Sequence, residues 1–431
     1  MLSILKTKIT LSLLPLLFLI SSNAHASDAV NSGDTAWIMT ATALVLFMTL
    51  PALALFYGGL VQSKNVLSVL MHCVTIACIS SVLWLIAGYS LAFNGDGAFI
   101  GNLDKAFLAG VTADSMSGSI PEVVFFMFQM TFAIITPALI VGAYPERIKF
   151  GAVVIFSAAW LMLVYVPVTH WIWGGGWLAA KGVMDFAGGI VVHATAGTSA
   201  LVIAVMLGKR KGYPREVKPP HNPSMTMAGA CMLWVGWYGF NAGSALAADG
   251  SAGMAMLVTH LSAATASLVW MAIEWIKFER PSMIGMVTGT IAGLATITPA
   301  SGFVGPIGGL ALGALGAIVC FYSVQYIKHK LQIDDSLDVF AVHGVGGILG
   351  SLLVAYFALP SLGGIGLPDG QTSFGQLLVQ AQAITITIIW SVVASWFILA
   401  IIRKITGLRV DQEEEYNGLD VTSHGEHAYD L

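Results

Sequence analysis

Charged residues are sparse along the chain and leave long uncharged runs between them. Nine of these runs hold 23 to 33 residues each, and each is long enough for one membrane-spanning helix of about 20 residues. A tenth run, between Arg280 and Lys328, holds 47 residues and is broken by Pro299 and Pro306, so it fits two helices. The pattern therefore predicts an all-α membrane protein with eleven transmembrane helices.

Composition supports this prediction and excludes other classes of protein. Charged residues make up 10% of the 431 residues and apolar residues 57%, whereas a soluble domain carries about 25% charged residues. A net charge of -4 excludes a basic nucleic-acid-binding protein. The four cysteines follow no metal-binding or disulfide spacing, so we interpret them as small core residues.

The first 26 residues have the features of a secretory signal peptide. Lys6 and Lys8 give a positive start, residues 11–20 form an apolar run too short to span a membrane, and Ala24-His25-Ala26 is a small-x-small cleavage site. The alternative is that this segment is a first transmembrane helix. The polar start of the remaining chain, at Ser27, favours the signal peptide.

Basic residues indicate the orientation in the membrane. With the N-terminus outside, 15 lysines and arginines fall in cytoplasmic segments, and only Lys105 and Lys181 fall outside. Cytoplasmic loops are enriched in such residues, so the N-terminus is predicted outside and the C-terminus inside. The outer loops are left acidic. This is either a device that concentrates cations or a consequence of the same charge sorting, and the sequence leaves both interpretations open.

Two histidines have matching surroundings in the fifth and tenth predicted spans. His193 and His343 are each followed by small residues at positions i+3, i+4 and i+7, which share one helix face. Each also has an aspartate shortly upstream, Asp185 and Asp338. The match indicates an internal repeat.

A second match supports the repeat. The tetrapeptide Ile-Thr-Pro-Ala occurs at 135–138 and at 297–300, a displacement of 162 residues that compares with 150 for the histidines. Both displacements pair a span with the fifth span after it. An odd number of crossings inverts the second copy, so we predict an inverted five-helix repeat plus one extra helix, an architecture typical of transporters.

The repeat predicts that His193 and His343 meet on the axis between its halves. Small neighbours allow close helix approach, and ionisable groups at membrane depth are costly and usually functional. The alternative is two unrelated histidines bonded to backbone. A metal site is disfavoured because zinc requires three or four ligands and neither histidine has another ligand within a turn.

Aromatic residues are grouped in three of the predicted spans. They are Phe128 and Phe132; Trp237 and Phe240, followed by Ser244 on the same face; and Trp171 and Trp173. Each taken alone is typical of packing or of a membrane-interface anchor. Together they could form a cation site, because ring faces attract small cations and a serine oxygen can accept a hydrogen bond.

Several of these segments closely resemble signatures of the ammonium transporter family, to which the Rh proteins are distant relatives. The resembling segments are 185–193, 239–244, 338–347, 128–132, 170–176 and the tail from Gly407 to Tyr429. The resemblance runs from about Asp34 to the end of the chain and is closest to bacterial members made with a cleaved leader. It implies a signal peptide at 1–26, a transmembrane domain at 27–406 and a cytoplasmic regulatory tail at 407–431.

The resemblance also implies an assembly and roles for individual residues. It implies a homotrimer in the bacterial inner membrane with one pore in each subunit, taking up ammonium as a nitrogen source, and a cytoplasmic P-II signal protein as partner. The implied residues are Phe132, Trp173 and Ser244 at an outer ammonium site; Phe132 and Phe240 as the gate, with Phe128 lining its approach; His193, His343 and Trp237 lining the pore; and Asp185 as a support.

The expected function is ammonium transport with no cofactor. Ammonium, or methylammonium as its analogue, would be recognised as a cation and lose its proton, and ammonia would cross with or without that proton. An enzyme is disfavoured because a third catalytic group beside the histidines is missing from the sequence pattern. The remaining alternative is an ammonium sensor that signals through its cytoplasmic face.

Overall fold

The computed structural model describes residues 30–216 and 218–429, and the predicted signal peptide lies outside these residues. The described chain is almost entirely helical, with one small antiparallel hairpin of β1 (Met116–Ser117) and β2 (Ile120–Pro121). The eleven long helices are α1 (Ser32–Leu60), α2 (Ser63–Phe93), α3 (Glu122–Ala143), α4 (Phe150–Ile172), α5 (Gly189–Leu207), α6 (Pro223–Gly243), α7 (Gly250–Phe278), α8 (Met283–Ile297), α9 (Pro306–Leu331), α10 (Phe340–Phe357) and α11 (Ser373–Ile405). Two short helices follow, α12 (Gln412–Asn417) and α13 (Leu419–His424).

Nine helices of the described chain are long and apolar enough to cross a membrane: all of α1 to α11 except α6 and α8. Helix α6 has 21 residues and α8 has 15, and both lie where the sequence predicts a span. The membrane-embedded helical fold is therefore confirmed at this level, whereas the count of eleven crossings stays a prediction.

Side-chain caps set the starts of several helices. Asp249 accepts hydrogen bonds from two backbone amides at the start of α7, and Asn222, Ser282 and Thr372 each accept one at the starts of α6, α8 and α11. Each cap satisfies an amide that the first helical turn leaves without a partner. The loop residues thus determine where these apolar helices begin.

Helices α5 and α10 begin in the same way. Each helix begins with a wide π-helical turn, Gly189–Ala194 in α5 and Phe340–Gly344 in α10, and each turn holds one of the two histidines. The two helices meet at Gly197, which follows the turn of α5, and at Gly344, which ends the turn of α10. A methyl group on Gly197 would lie 2.3 Å from the Gly344 Cα. Glycine at this crossing allows the backbones to touch.

The cysteine interpretation is correct for only two residues. Cys73 and Cys320 are buried in the bundle, whereas Cys78 and Cys231 are exposed on its sides. An apolar run in a membrane protein includes positions that face lipid as well as positions that face the core, so apolar surroundings in sequence do not distinguish the two.

The tail folds back onto the end of the bundle that bears the start of α2. The Leu419 amide donates to Asn65 Oδ1 at 2.8 Å, and the Ser68 amide donates to Asp420 Oδ1 at 2.8 Å. Leu419 and Asp420 are 0% and 1% exposed. The tail is therefore packed against the transmembrane helices.

A buried ion cluster lies beside the docked tail. Arg210 pairs with Asp334 at 2.9 Å and with Glu146 at 3.1 Å, and Arg147, which is 0% exposed, donates to Ser336 Oγ at 2.7 Å. Burial alone would raise the pKa of Asp334, but the charges of Arg210 and Arg147 lower it below its ordinary value. The two arginines therefore favour the ionised form of Asp334, and the cluster holds three loops together.

Candidate functional site

The centre of the site is the pair of histidines on the two π-helical turns. Nδ1 of His193 and Nδ1 of His343 are 3.3 Å apart, and the rings are nearly parallel with centroids 5.2 Å apart. The residues are 1% and 4% exposed. A contact at this distance between two ring nitrogens requires one donor and one acceptor, so one hydrogen links the two rings.

The walls around the pair are apolar and aromatic. The Trp237 ring stacks against His193 at 5.5 Å, and its Nε1 donates to Thr298 Oγ1 at 2.9 Å. Val192, Leu233 and Ile291 line the same narrow cavity. Within the described residues, His193 Nε2 has no hydrogen-bond partner, so this nitrogen is available to a small guest in the cavity.

A second cavity lies on the other side of a layer of phenyl rings. We call it the aromatic vestibule; it holds about 290 Å³ and is lined by Phe93, Phe125, Gln129, Phe132, Ile172, Trp173, Phe186, Ser244 and Leu246. None of these residues bears a formal charge. The Phe132 and Trp173 rings stand at 90° with centroids 5.7 Å apart. Ser244 donates its hydroxyl hydrogen to the Phe240 carbonyl at 2.9 Å, which leaves its oxygen free to accept.

Two stacked rings separate this vestibule from the histidines. The centroids of Phe132 and Phe240 are 4.4 Å apart with an angle of 32° between the rings. Phe132 lines the aromatic vestibule, and Phe240 lines the histidine cavity. Each is 1% exposed, so the pair closes the passage between the two cavities.

Phe128 has a different place from the one expected. It is 0% exposed and packs edge-on behind Phe132 with centroids 5.1 Å apart, whereas Phe125 and Gln129 line the approach. Phe128 therefore supports the ring pair from behind. The spacing 125, 129 and 132 places the vestibule-lining residues on one helix face, a signal that the sequence contained.

Asp185 supports both the vestibule and α5. Its carboxylate accepts hydrogen bonds from four successive backbone amides, of residues 188 to 191, at 2.6 to 3.1 Å. Its own carbonyl accepts from Trp173 Nε1 at 2.8 Å. Burial raises the pKa of Asp185 to about 6, and the four amide hydrogen bonds act in the opposite direction, in favour of the carboxylate. It is 5% exposed and absent from the vestibule lining.

The aspartate that caps the start of α10 as Asp185 caps the start of α5 is Asp335, not Asp338. Asp335 stands eight residues before His343, as Asp185 stands eight residues before His193. The Phe340 amide donates to its carboxylate at 2.7 Å. The sequence comparison paired Asp185 with Asp338 because Asp338 is nearer to His343. In the structure, Asp335 is the residue that caps the helix start, so Asp335 is the equivalent of Asp185.

Asp338 belongs instead to a third cavity, on the far side of His343. Its carboxylate pairs with Lys328 at 2.7 Å. This basic vestibule holds about 220 Å³ and is lined by residues that include Arg210, Lys218, Lys328, Asp338 and His343. Aromatic vestibule, ring pair, histidines and basic vestibule therefore follow one another through the bundle.

The described part of the chain contains no group of three or more histidine, cysteine or acidic residues that could hold a metal ion. The chemistry that this arrangement can perform is the binding of a small cation against rings, and the passage of a small neutral molecule along imidazole nitrogens. The rings are those of Phe132 and Trp173, and the imidazole nitrogens are those of His193 and His343.

Comparison with known proteins gives one consistent result. The family model described as Ammonium Transporter Family matches residues 36–429. The chain is 46% identical to an ammonium transporter of Bacillus subtilis over 402 residues, covering 92% of this chain and 98% of the relative. It is 44% identical to an ammonium transporter of Aquifex aeolicus, covering 96% and 98%.

Solved structures agree with this result. A sensor Amt protein superposes with a TM-score of 0.85 at 31% identity, covering 91% of this chain and 98% of that one. Candida albicans Mep2 superposes with a TM-score of 0.84 at 35% identity, covering 93% and 91%.

Proposed function

The chain belongs to the ammonium transporter family, and on that premise we propose that it recruits ammonium at the aromatic vestibule, removes a proton and conducts ammonia past His193 and His343 into the cytoplasm, with or without the proton. One observation carries the proposal: a closed ring pair, Phe132 and Phe240, separates an uncharged aromatic cavity from a histidine pair in apolar surroundings. The curated relatives are named as transporters, which favours transport over sensing.

Recognition takes place at Phe132, Trp173 and Ser244. Ammonium is almost wholly protonated at neutral pH, so the cation is the species that arrives. The faces of Phe132 and Trp173 attract it by about 0.5–2 kcal/mol each. The Ser244 hydroxyl already donates its hydrogen to a carbonyl, so its oxygen accepts a hydrogen bond from one N–H group of ammonium. These contacts replace part of the water that the cation loses.

The ring pair makes deprotonation necessary. An unpaired charge in the apolar cavity beyond Phe240 would cost at least several kcal/mol, whereas ammonia carries no net charge. Potassium resembles ammonium in size but cannot release a proton, so it is held back at the rings. Selectivity for ammonium over potassium therefore depends on the ability to release a proton as well as on ion size.

The histidines conduct the neutral molecule. Their shared hydrogen bond fixes both rings, and the unpartnered Nε2 of His193 offers ammonia a hydrogen-bonding group in an otherwise apolar wall. Trp237 holds the His193 ring from one side. Asp185 takes no direct part; it fixes Trp173 and the first turn of α5.

We further propose eleven crossings, with the N-terminus outside and the C-terminus inside, in a homotrimer of the bacterial inner membrane after removal of residues 1–26. The distribution of basic residues supports this orientation. The basic segment 209–218 and the docked tail 407–429 lie at the same end of the bundle, since the Lys211 amide donates to Glu415 at 2.8 Å. This end is the proposed surface for a P-II signal protein.

The wild-type protein in proteoliposomes is expected to take up labelled methylammonium with saturable kinetics. Trp173→Leu is expected to raise the apparent KM about 2- to 30-fold, because one ring face worth about 0.5–2 kcal/mol is lost. The maximal rate is expected to fall less than the KM rises, since the histidine cavity is unchanged. Initial uptake rates over a range of concentrations measure both quantities.

Trp396→Leu is the matched control, because Trp396 is 56% exposed on the outer side of α11 and lines none of the three cavities. An imposed membrane potential distinguishes the two forms of the mechanism: faster uptake at negative inside potential means that the proton crosses as well. No uptake by the wild type would contradict the proposed function. An unchanged KM in Trp173→Leu would reduce Trp173 to a membrane anchor.

A P-II protein is expected to bind inside-out vesicles and not right-side-out vesicles, because the basic segment and the tail are proposed to be cytoplasmic. Truncation after Gly407 is expected to abolish binding, since it removes the residues that line the docked surface. Co-sedimentation measures binding, and methylammonium uptake confirms that the truncated protein is folded. Binding that survives the truncation would show that the tail is not a required contact.

A further inference from the structure

Helix α11 has no counterpart in the five-helix repeat, yet it carries two glutamines inside the bundle. Gln376 and Gln380 are both 0% exposed and lie one turn apart on a helix of mostly apolar residues. A buried amide group costs about 1–3 kcal/mol if it makes no hydrogen bond. The partners of these two side chains are therefore informative.

Gln380 bonds to both halves of the repeat. Its Oε1 accepts from the Met184 amide at 2.9 Å, and its Nε2 donates to the Met184 carbonyl at 2.7 Å. The same Nε2 donates to the Ser351 carbonyl, in α10, at 2.9 Å. One side chain thus binds both backbone groups of a residue before α5 and links that residue to the helix that carries His343.

Gln376 extends the connection by one turn. Its Nε2 donates to the Gly182 carbonyl at 2.9 Å and to Gln380 Oε1 at 3.1 Å. Residues 182–184 form neither a helix nor a strand. Their backbone groups bond instead to the glutamine side chains of α11.

The residue after this segment is Asp185. Its carbonyl accepts from Trp173 Nε1, and its carboxylate caps the π-helical turn that holds His193. A shift of Met184 along the chain direction would move both attachments together. Gln380 therefore fixes Met184, and the next residue, Asp185, bonds both to the Trp173 ring and to the turn that holds His193.

We propose that Gln376 and Gln380 are positioning residues for the outer ammonium site: they fix the register of residues 182–185 and so place Trp173 and the start of α5. This inference rests on the proposed function, because it assigns the glutamines to the same site. It also gives α11 a role beyond lipid contact, since an apolar helix could cover the bundle without binding the backbone of Met184.

The test uses Gln380→Met, which keeps the length of the side chain and removes all its hydrogen bonds to Met184 and Ser351. The apparent KM for methylammonium in proteoliposomes is expected to rise at least about fivefold, because two backbone groups of Met184 lose their buried partner. The maximal rate per folded protein is expected to stay within about twofold of wild type. Gln376→Met removes the hydrogen bonds to the Gly182 carbonyl and to Gln380 Oε1 but leaves the two bonds between Gln380 and Met184. It is expected to change KM in the same direction by less.

Gln382→Met is the matched control: Gln382 is on the same helix, but its side chain reaches only Lys181 at 3.4 Å near the surface. Hydrogen exchange of purified protein gives a second readout that needs no transport. The Met184 amide and those of residues 188–191 are expected to exchange at least about tenfold faster in Gln380→Met than in the wild type or in Gln382→Met. If Gln380→Met does not fold, Gln376→Met carries both measurements.

A merely stabilising role predicts less folded protein with an unchanged KM, and that result would overturn the inference. So would unchanged exchange of residues 184 and 188–191. Failure of the wild type to transport would instead contradict the proposed function. This inference alone would be overturned if the wild type transports and Trp173→Leu has a raised KM, but both glutamine variants keep the wild-type KM.

Discussion

Replacement of both His193 and His343 by alanine is expected to stop methylammonium uptake or to admit potassium. The two imidazoles supply the hydrogen-bonding nitrogens of a wall that is otherwise apolar, and they fill the space between α5 and α10. Without them, ammonia loses its polar contacts, or the space that both rings vacate lets hydrated cations pass. Uptake of labelled methylammonium and rubidium, a potassium analogue, by proteoliposomes measures the two outcomes.

His260→Ala is the matched control, because His260 bonds to Tyr238 at 2.7 Å on the side of the bundle and is absent from all three cavities. It is expected to transport as the wild type does. Single variants at His193 and His343 are each expected to alter rate or selectivity, since loss of either breaks the shared hydrogen bond. A double variant with the wild-type rate that still excludes potassium would show that the histidines only pack, and that selectivity resides in the aromatic vestibule.

The histidine contact could be predicted because the signal was repeated. Each histidine has small residues at the same three offsets, and the two are 150 residues apart, so the repeat itself implied a shared axis. The structure places the rings at contact distance. The accompanying aspartates were paired wrongly, because nearness in sequence favoured Asp338, whereas the helix start is capped from Asp335.

Other parts of the site could not be predicted, because they depend on which helices are neighbours. Nothing local in the sequence marks Gln380 as a partner of Met184, 196 residues away. Arg147 counts as a surface charge in an orientation argument, yet it is fully buried with Ser336 and Asp334. Charge patterns indicate the side of the membrane, and they do not reveal which charges find partners inside the protein.

Gly197→Ala is expected to reduce methylammonium uptake at least about tenfold, through the backbone alone. The added methyl group would lie 2.3 Å from the Gly344 Cα and 2.4 Å from its nitrogen, and a helix backbone cannot turn aside as a side chain can. Helices α5 and α10 would have to separate by about 1 Å, a displacement that can cost about a hundredfold at a functional site. The hydrogen bond between His193 and His343 would be broken, although both histidines would remain.

Gly151→Ala is the opposite case and the matched control. Gly151 is exposed in α4, and a methyl group there would have no atom within 4 Å. Alanine has a higher helix propensity than glycine, so this variant is expected to be at least as stable as the wild type and equally active. The midpoint of thermal unfolding is expected to fall in Gly197→Ala, because overpacking costs about 1–3 kcal/mol. Equal uptake by the two variants would mean that α5 and α10 can separate without loss, and the 3.3 Å contact between the histidines would then not be required for conduction.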